Sequence, residues 1–219
     1  GRVPGPTLRV TEGDRLRIVF RNNGSMPHTM HFHGIHGASM DGLTGAGEVE
    51  PGGEFTYRFD AYPFGCHLYH CHSIPLKRHI HKGLYGGFII DPNPDLHPDL
   101  APQAIAIARS RQHGTPENAT WQEMIMVMNG FDTNYDDKNE VYAVNTVAHA
   151  YAKKPISIAR NRPVRIYLIN LTEFDQINSF HLHANFFDYH DHGTTLAPTS
   201  KTIDTVMLCQ GQRGIVEFS

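Results

Sequence analysis

A cysteine stands between two histidines in the tripeptide His70-Cys71-His72. Side chains of an extended strand point alternately to opposite faces, so such a string directs the sulfur to one metal and both imidazoles to others on the far side. That arrangement wires one metal centre to another. Sixteen of the 219 residues are His, and nine fall between His28 and His81, a density that argues against coincidence. They include a second pattern, His28-Thr-Met-His31-Phe-His33, and a further pair, His181-Leu-His183, lies far downstream.

Imidazoles with one thiolate suit copper, and one Cys with two His and a weak axial group is the ligand set of a blue-copper site. Zinc is the alternative. Structural zinc favours CxxC pairs, which this chain lacks, and catalytic zinc needs fewer histidines. Three cysteines cannot all pair: with Cys71 a ligand, Cys66 and Cys209 are left to bridge, although Cys66 reads better as an unpaired residue on the strand of Cys71.

The elements that must position these residues read as β structure. Leu8 to Asn22 alternates as two strands about a Glu12-Gly13-Asp14 turn, and Glu54 to Phe59 alternates after Pro51-Gly52-Gly53. No segment keeps helical periodicity over a dozen residues. Short strands separated by Gly/Pro turns indicate an all-β chain of Greek-key sandwich or barrel type. Pro155 to Asn170 repeats the Leu8 to Asn22 unit, closing Asn included, and a His-x-His follows in both. Two copies of one β domain result, residues 1–93 and 101–219, joined by the Pro/Asp-rich stretch Asp91 to Asp99, in which His97 reads as a solvated loop residue.

The copies differ. Asn178 occupies the place before His181 that His28 occupies before His31, so only the first copy builds a thiolate site. The first copy also runs on from its Glu54–Phe59 strand into His70-Cys71-His72, whereas the second stops at Ser219, so the second domain is expected to lack its final strands. Gly1 is no initiator Met, which suggests a processed or trimmed chain. A hydrophobic content of 40% suffices for two small cores, and a net charge of −3 without Lys/Arg blocks argues against nucleic acid. No stretch reads as a membrane span.

His-x-x-His-x-His, His-Cys-His, a later His before Gly83-Leu84 and the downstream His-x-His resemble the multicopper oxidases, specifically their two-domain laccase-like branch. The resemblance covers essentially the whole chain. It implies two cupredoxin domains, a type 1 copper that takes electrons from small one-electron donors, and a trinuclear cluster of type 2 and type 3 coppers that reduces dioxygen to water. Matched residue by residue, it implies His28, Cys71 and His79 as type 1 ligands, with Leu84 at the axial position where many relatives have Met. An apolar axial neighbour raises the reduction potential. Between His72 and His79 lie three residues more than the common pattern has, and His81 competes with His79. His31 and His181 match type 2 ligands; His33, His70, His72 and His183 match type 3 ligands. The family uses eight such histidines, and the remaining two are expected on the absent terminal strand. The branch further implies a homotrimer with the cluster between subunits, and an extracytoplasmic location.

Asp41-Gly42 resembles the Asp-Gly of small two-domain laccases, whose carboxylate assists proton delivery; the dipeptide also favours a plain turn. His36 and His67 read as residues beside the ligands rather than ligands, and His190 and His192 as loop. Met124, Met126 and Met128 alternate as the core face of a strand. A copper nitrite reductase is the rival enzyme, but such enzymes carry Asp at the place of His31 and no His after the Cys. An electron-transfer cupredoxin would leave the His-x-His pairs without a purpose. The donor, a phenol or a metal ion such as Fe(II) or Cu(I), depends on the surface around His79.

Overall fold

The computed structural model describes residues 2–99 and 121–219, in two compact units, Gly1–Asp91 and Pro92–Ser219. In the first unit β1 (Leu8–Thr11), β2 (Arg15–Arg21), β3 (His31–Phe32), β4 (Glu54–Asp60), β5 (Gly65–His70) and β6 (Tyr85–Asp91) form one sheet in the order β1-β6-β5-β3 and a second of β2 and β4. The only helix longer than a 3-10 turn among the described residues of this unit is α1 (Leu76–His81). The turn between β1 and β2 is closed by Gly13 at φ 88° and by Thr11 N–H donating to Asp14 Oδ2 at 2.8 Å.

An aromatic core joins the two sheets. Phe32 of β3 packs on Tyr57 and Phe59 of β4 at 5.5 and 5.1 Å and on Phe88 of β6 at 5.8 Å. Both β5 and β6 are buried along their whole length, which explains why their sequences lack polar alternation. A Cβ on Gly86 would stand 2.5 Å from the Tyr69 hydroxyl, so this glycine admits the ring that braces β5 just before the His70-Cys71-His72 string.

In the second unit β7 (Gln122–Phe131), β8 (Val141–Val144), α2 (Ala150–Lys153), β9 (Val164–Leu171), β10 (Ile177–His181), β11 (Phe187–Asp191), β12 (Ser200–Ile203), β13 (Thr205–Cys209) and β14 (Arg213–Phe218) follow in order. They make a sheet in the order β12-β11-β14-β9-β7-β8 and a pair, β10 with β13. The three alternating methionines of β7 pack against the core of Val164, Ile166, Leu168, Phe187, Leu208 and Val216.

The repeat has a structural basis in its closing asparagines. Asn22 Nδ2 donates to Met26 O and Val49 O while its Oδ1 accepts from Gly24 N; Asn170 Nδ2 donates to Leu208 O and Cys209 O while its Oδ1 accepts from Thr172 N. Each thus fastens the end of the second repeat strand to the segment crossing it.

Three expectations need correction. Residues 155–158 form no strand, and Ile156 and Ile158 are exposed: β1 obtains its ladder from β6, and among the described residues no strand takes that place beside 155–158. His190 is not in a loop but within β11, buried, with Nε2 3.4 Å from Glu217 Oε2. Strand β5 ends at His70, so Cys71 and His72 lie just beyond it, although Cys71 N–H still donates to Leu84 O at 2.9 Å. No disulfide joins the three cysteines; Cys66 is buried and Cys209 exposed.

Candidate metal centre

Two elements and a loop bring His28, Cys71 and His79 together. His28 is held by paired backbone hydrogen bonds with Val49, Cys71 follows β5, and His79 faces inward from α1. Cys71 Sγ lies 3.6 Å from His28 Nδ1 and 3.2 Å from His79 Nδ1, and the two nitrogens are 2.9 Å apart. Residues two apart on a helix point about 200° apart, so with His79 facing Cys71 the helix turns His81 away. Burial first, and the Lys82 charge after it, lower the His28 pKa; burial, His28 and Lys82 lower that of His79. Neutral rings with free lone pairs are what a metal requires.

The donor set fits copper. Two imidazoles and one thiolate converge, with no fourth His, Cys, Asp or Glu in the group among the described residues, unlike the closed four-ligand set of structural zinc. Leu84, two residues beyond the helix C-cap Lys82, donates its N–H to His79 O at 3.3 Å and offers only an aliphatic side chain. Sequence reasoning passed over Thr29. It is fully buried, its N–H points at Cys71 Sγ from 3.5 Å, and its Oγ1 accepts from His72 N at 2.7 Å, tying the thiolate to the next histidine.

On the other side of Cys71 four imidazoles gather. The His31 ring lies 4.9, 5.3 and 5.1 Å from those of His33, His70 and His72, and His70 and His72 stack at 5.7 Å. His70 Nδ1–H donates to Cys71 O at 2.8 Å, and His31 Nδ1–H to Asp41 O at 2.5 Å. A carbonyl only accepts, so each ring keeps its lone pair on Nε2, as metal-binding histidines do when backbone oxygens fix their tautomer. His33 Nε2 and His70 Nε2 then meet at 2.9 Å. Burial, partly opposed by the Cys71 carbonyl, brings His70 down to about 4. Asp41 Oδ1 lies 3.2 Å from His31 Nδ1. Asp41 also ends a 3-10 turn, Ala38–Met40, and Gly42 follows at φ 69° where a Cβ would collide with Met30 O, so the turn and the contact with His31 belong to one structure.

In the second unit the exposed rings of His181 and His183 are 4.7 Å apart, and His181 Nδ1–H donates to Asp204 O at 2.8 Å beside Thr205 Oγ1. The capping carbonyl of Asp41 thus has a counterpart in Asp204. Spacing could not reveal it, because ten residues separate the first pair and 23 the second. His67 is buried with Nε2 on Pro63 O, outside every ligand group among the described residues. In an acidic group of Asp132, Asp136 and Glu140, Asp132 accepts from Asp136 N and Asp137 N, and Glu140 accepts from Thr133 N.

Family models described as multicopper oxidase match residues 1–95 and 115–219. A crystal structure of a multicopper oxidase is 48% identical, with 99% of this chain and 69% of that one covered, at a TM-score of 0.82. A blue copper oxidase from Nitrosomonas europaea is 26% identical over 99% of this chain and 67% of that one, at a TM-score of 0.74. A copper-containing nitrite reductase from Neisseria meningitidis serogroup A is 38% identical over 98 residues, 44% of this chain but only a quarter (25%) of that protein's length. With an all-β, cupredoxin-like fold in both units and a copper-type ligand set, the chain belongs to the multicopper oxidase family.

Proposed function

We propose that the protein is a laccase-like copper oxidase that couples one-electron oxidation of phenolic or aromatic donors, or of low-valent metal ions, to the four-electron reduction of dioxygen to water. The observation that carries this reading is the pair His31 and His72. A single catalytic copper beside Cys71 needs neither, yet both rings face the group formed with His33 and His70. Copper bound at these residues supplies one-electron transfer and a multi-electron centre for dioxygen.

The chain's residues do the rest. His28, Cys71 and His79 would hold the entry metal, and Leu84, whose N–H donates to His79 O, has no side-chain atom to add to the donor set. The Cys71 backbone leads to His72 covalently and to His70 through the 2.8 Å hydrogen bond on its carbonyl, so two short paths leave the sulfur. His31, His33, His70 and His72, with His181 and His183, would hold the oxygen-reducing metals, and the Asp41 carboxylate, 3.2 Å from His31 Nδ1, stands where it can pass protons toward them. The reading includes type 1, type 2 and type 3 copper, a homotrimer that completes the cluster between subunits, and an extracytoplasmic location.

Likeness to nitrite reductases supports a second reading, in which nitrite is the acceptor. With one donor, dioxygen consumption without hydrogen peroxide is the expected result; nitric oxide release from nitrite with no oxygen uptake would replace the first reading by the second. His79→Ala is expected to abolish the intense visible absorption of the copper-loaded protein, whereas His81→Ala keeps it. The reverse pattern would move the ligand to His81.

A further inference from the structure

We propose that His36 is a positioning residue for the oxygen-reducing cluster, acting on His31 through Asp41; this rests on the copper-oxidase reading. Its side chain is 5% exposed, with the ring against Phe32 and Phe59 at 6.3 and 5.9 Å. Nε2 faces Phe32 O at 2.5 Å, and Nδ1 faces Gly37 O at 3.0 Å. Phe32 lies in β3 beside His31, and Gly37 is the N-cap of the Ala38–Met40 turn. With its one N–H on Nε2 donating to Phe32 O, His36 ties the residue before that turn to the strand that carries His31.

The far end of the turn closes on the same strand. Asp41 O takes the Nδ1–H of His31, and Asp41 Oδ1 lies 3.2 Å from that nitrogen and 3.6 Å from His36 Nε2. Residues 36–41 form a short bracket pinned at both ends to β3. Its product is a fixed His31 tautomer, proton on Nδ1 and lone pair on Nε2, with a carboxylate aimed at the proton. Without the His36 pin, the start of the bracket would lose its tie to β3, leaving the Asp41–His31 contact and the Arg58 N–H against Met40 Sδ to hold its far end, and tautomer and carboxylate would both lose definition.

His36→Phe keeps the ring packing against Phe32 and Phe59 and removes both nitrogens. In the copper-loaded full-length protein we expect kcat for dioxygen reduction to fall about tenfold, the scale of a lost outer partner of a metal ligand. The KM for the donor and the anaerobic rate at which the donor bleaches the Cys71 site should stay unchanged. In an Asp41→Asn background the same substitution should cost less than about twofold, because residues acting through one another are not additive. In the copper-free protein, nitrogen NMR of the His31 ring should change from a single Nδ1–H tautomer to a mixture on His36→Phe, and His36→Gln, which restores a donor toward Phe32 O, should recover part of the loss. An unchanged kcat, an equal loss in both Asp41 backgrounds, or an unchanged His31 tautomer would overturn the proposal. If the wild-type protein consumes no dioxygen, the oxidase reading fails, and the NMR comparison, which needs no copper, still decides whether His36 orders His31.

Discussion

Cys71→Ser is expected to remove the intense visible band of the copper-loaded protein and to lower donor oxidation by more than about 100-fold, a loss that outer partners of metal ligands alone can reach. The sulfur is the only soft donor of its group, lying 3.6 and 3.2 Å from the two Nδ1 atoms, and a hydroxyl in its place is a poor ligand for copper in either oxidation state. The substitution should leave the fold intact. Cys71 is fully buried, but Ser is slightly smaller, and the N–H of Thr29 can donate to oxygen as it points at sulfur now. Absorption spectra and donor oxidation under air, set against far-ultraviolet circular dichroism of the same preparation, check both halves. A variant that stays blue would remove Cys71 from the entry site.

Glu217→Gln should destabilise the second unit by about 3 kcal/mol at neutral pH. Arg165 is fully buried, its Nε donating to Glu217 Oε1 at 2.6 Å and its Nη1 to Glu123 Oε1 at 3.2 Å, while Tyr167 also donates to Glu123. Losing the Glu217 charge leaves the buried Arg165 guanidinium with Glu123 as its remaining carboxylate, and loss of one partner from a buried charge pair costs about 3–5 kcal/mol in comparable cases, with Glu123 holding this loss to the lower end. Burial by itself raises the Glu217 carboxyl. The hydrogen bond with His190 and the charges of Arg165 and His190 outweigh burial and pull it down to about 2. A carboxyl lower in the folded than in the unfolded state contributes stability that is complete above the ordinary glutamate range and is lost as pH falls from about 4.5 to about 2. Over that window the wild type should lose about 3 kcal/mol that the Gln variant lacks from the start. Trp121, the chain's single tryptophan, covers the Arg165 guanidinium at 4.1 Å, so its fluorescence during denaturant unfolding reports on this region. Parallel loss of stability in both proteins on acidification would show that Glu217 is not the titrating group.

Much of this architecture was legible in the sequence where a strand has one wet face. Leu8 to Asn22 and Glu54 to Phe59 alternate because β1, β2 and β4 are each partly exposed, and the closing asparagines marked the repeat because each fills the same backbone hydrogen bonds. Ligand types were legible too, since the sequence spaces Cys71 and its neighbours by the period of a strand. What escaped depends on contacts distant in sequence. α1 spans six residues, too few for a helical period, so only its fold separates His79 from His81. His190 read as loop because its burial depends on Glu217 in the neighbouring strand β14. Pro155 to Ile158 copied the sequence of β1, but among the described residues no strand pairs with it, since pairing is a property of two segments. Thr29 and Asp204 carry no signature of their own, because the hydrogen bonds that matter there run to or from backbone atoms.

The central claim is that Cys71 joins one electron-entry copper to a multi-copper, oxygen-reducing centre. Copper content per chain, measured on the full-length protein together with its visible and paramagnetic resonance spectra, tests that claim most directly. The account predicts four coppers per chain, one of them the blue thiolate site. Two coppers per chain, one blue and one not, would contradict it and favour the single-copper centre of a nitrite reductase.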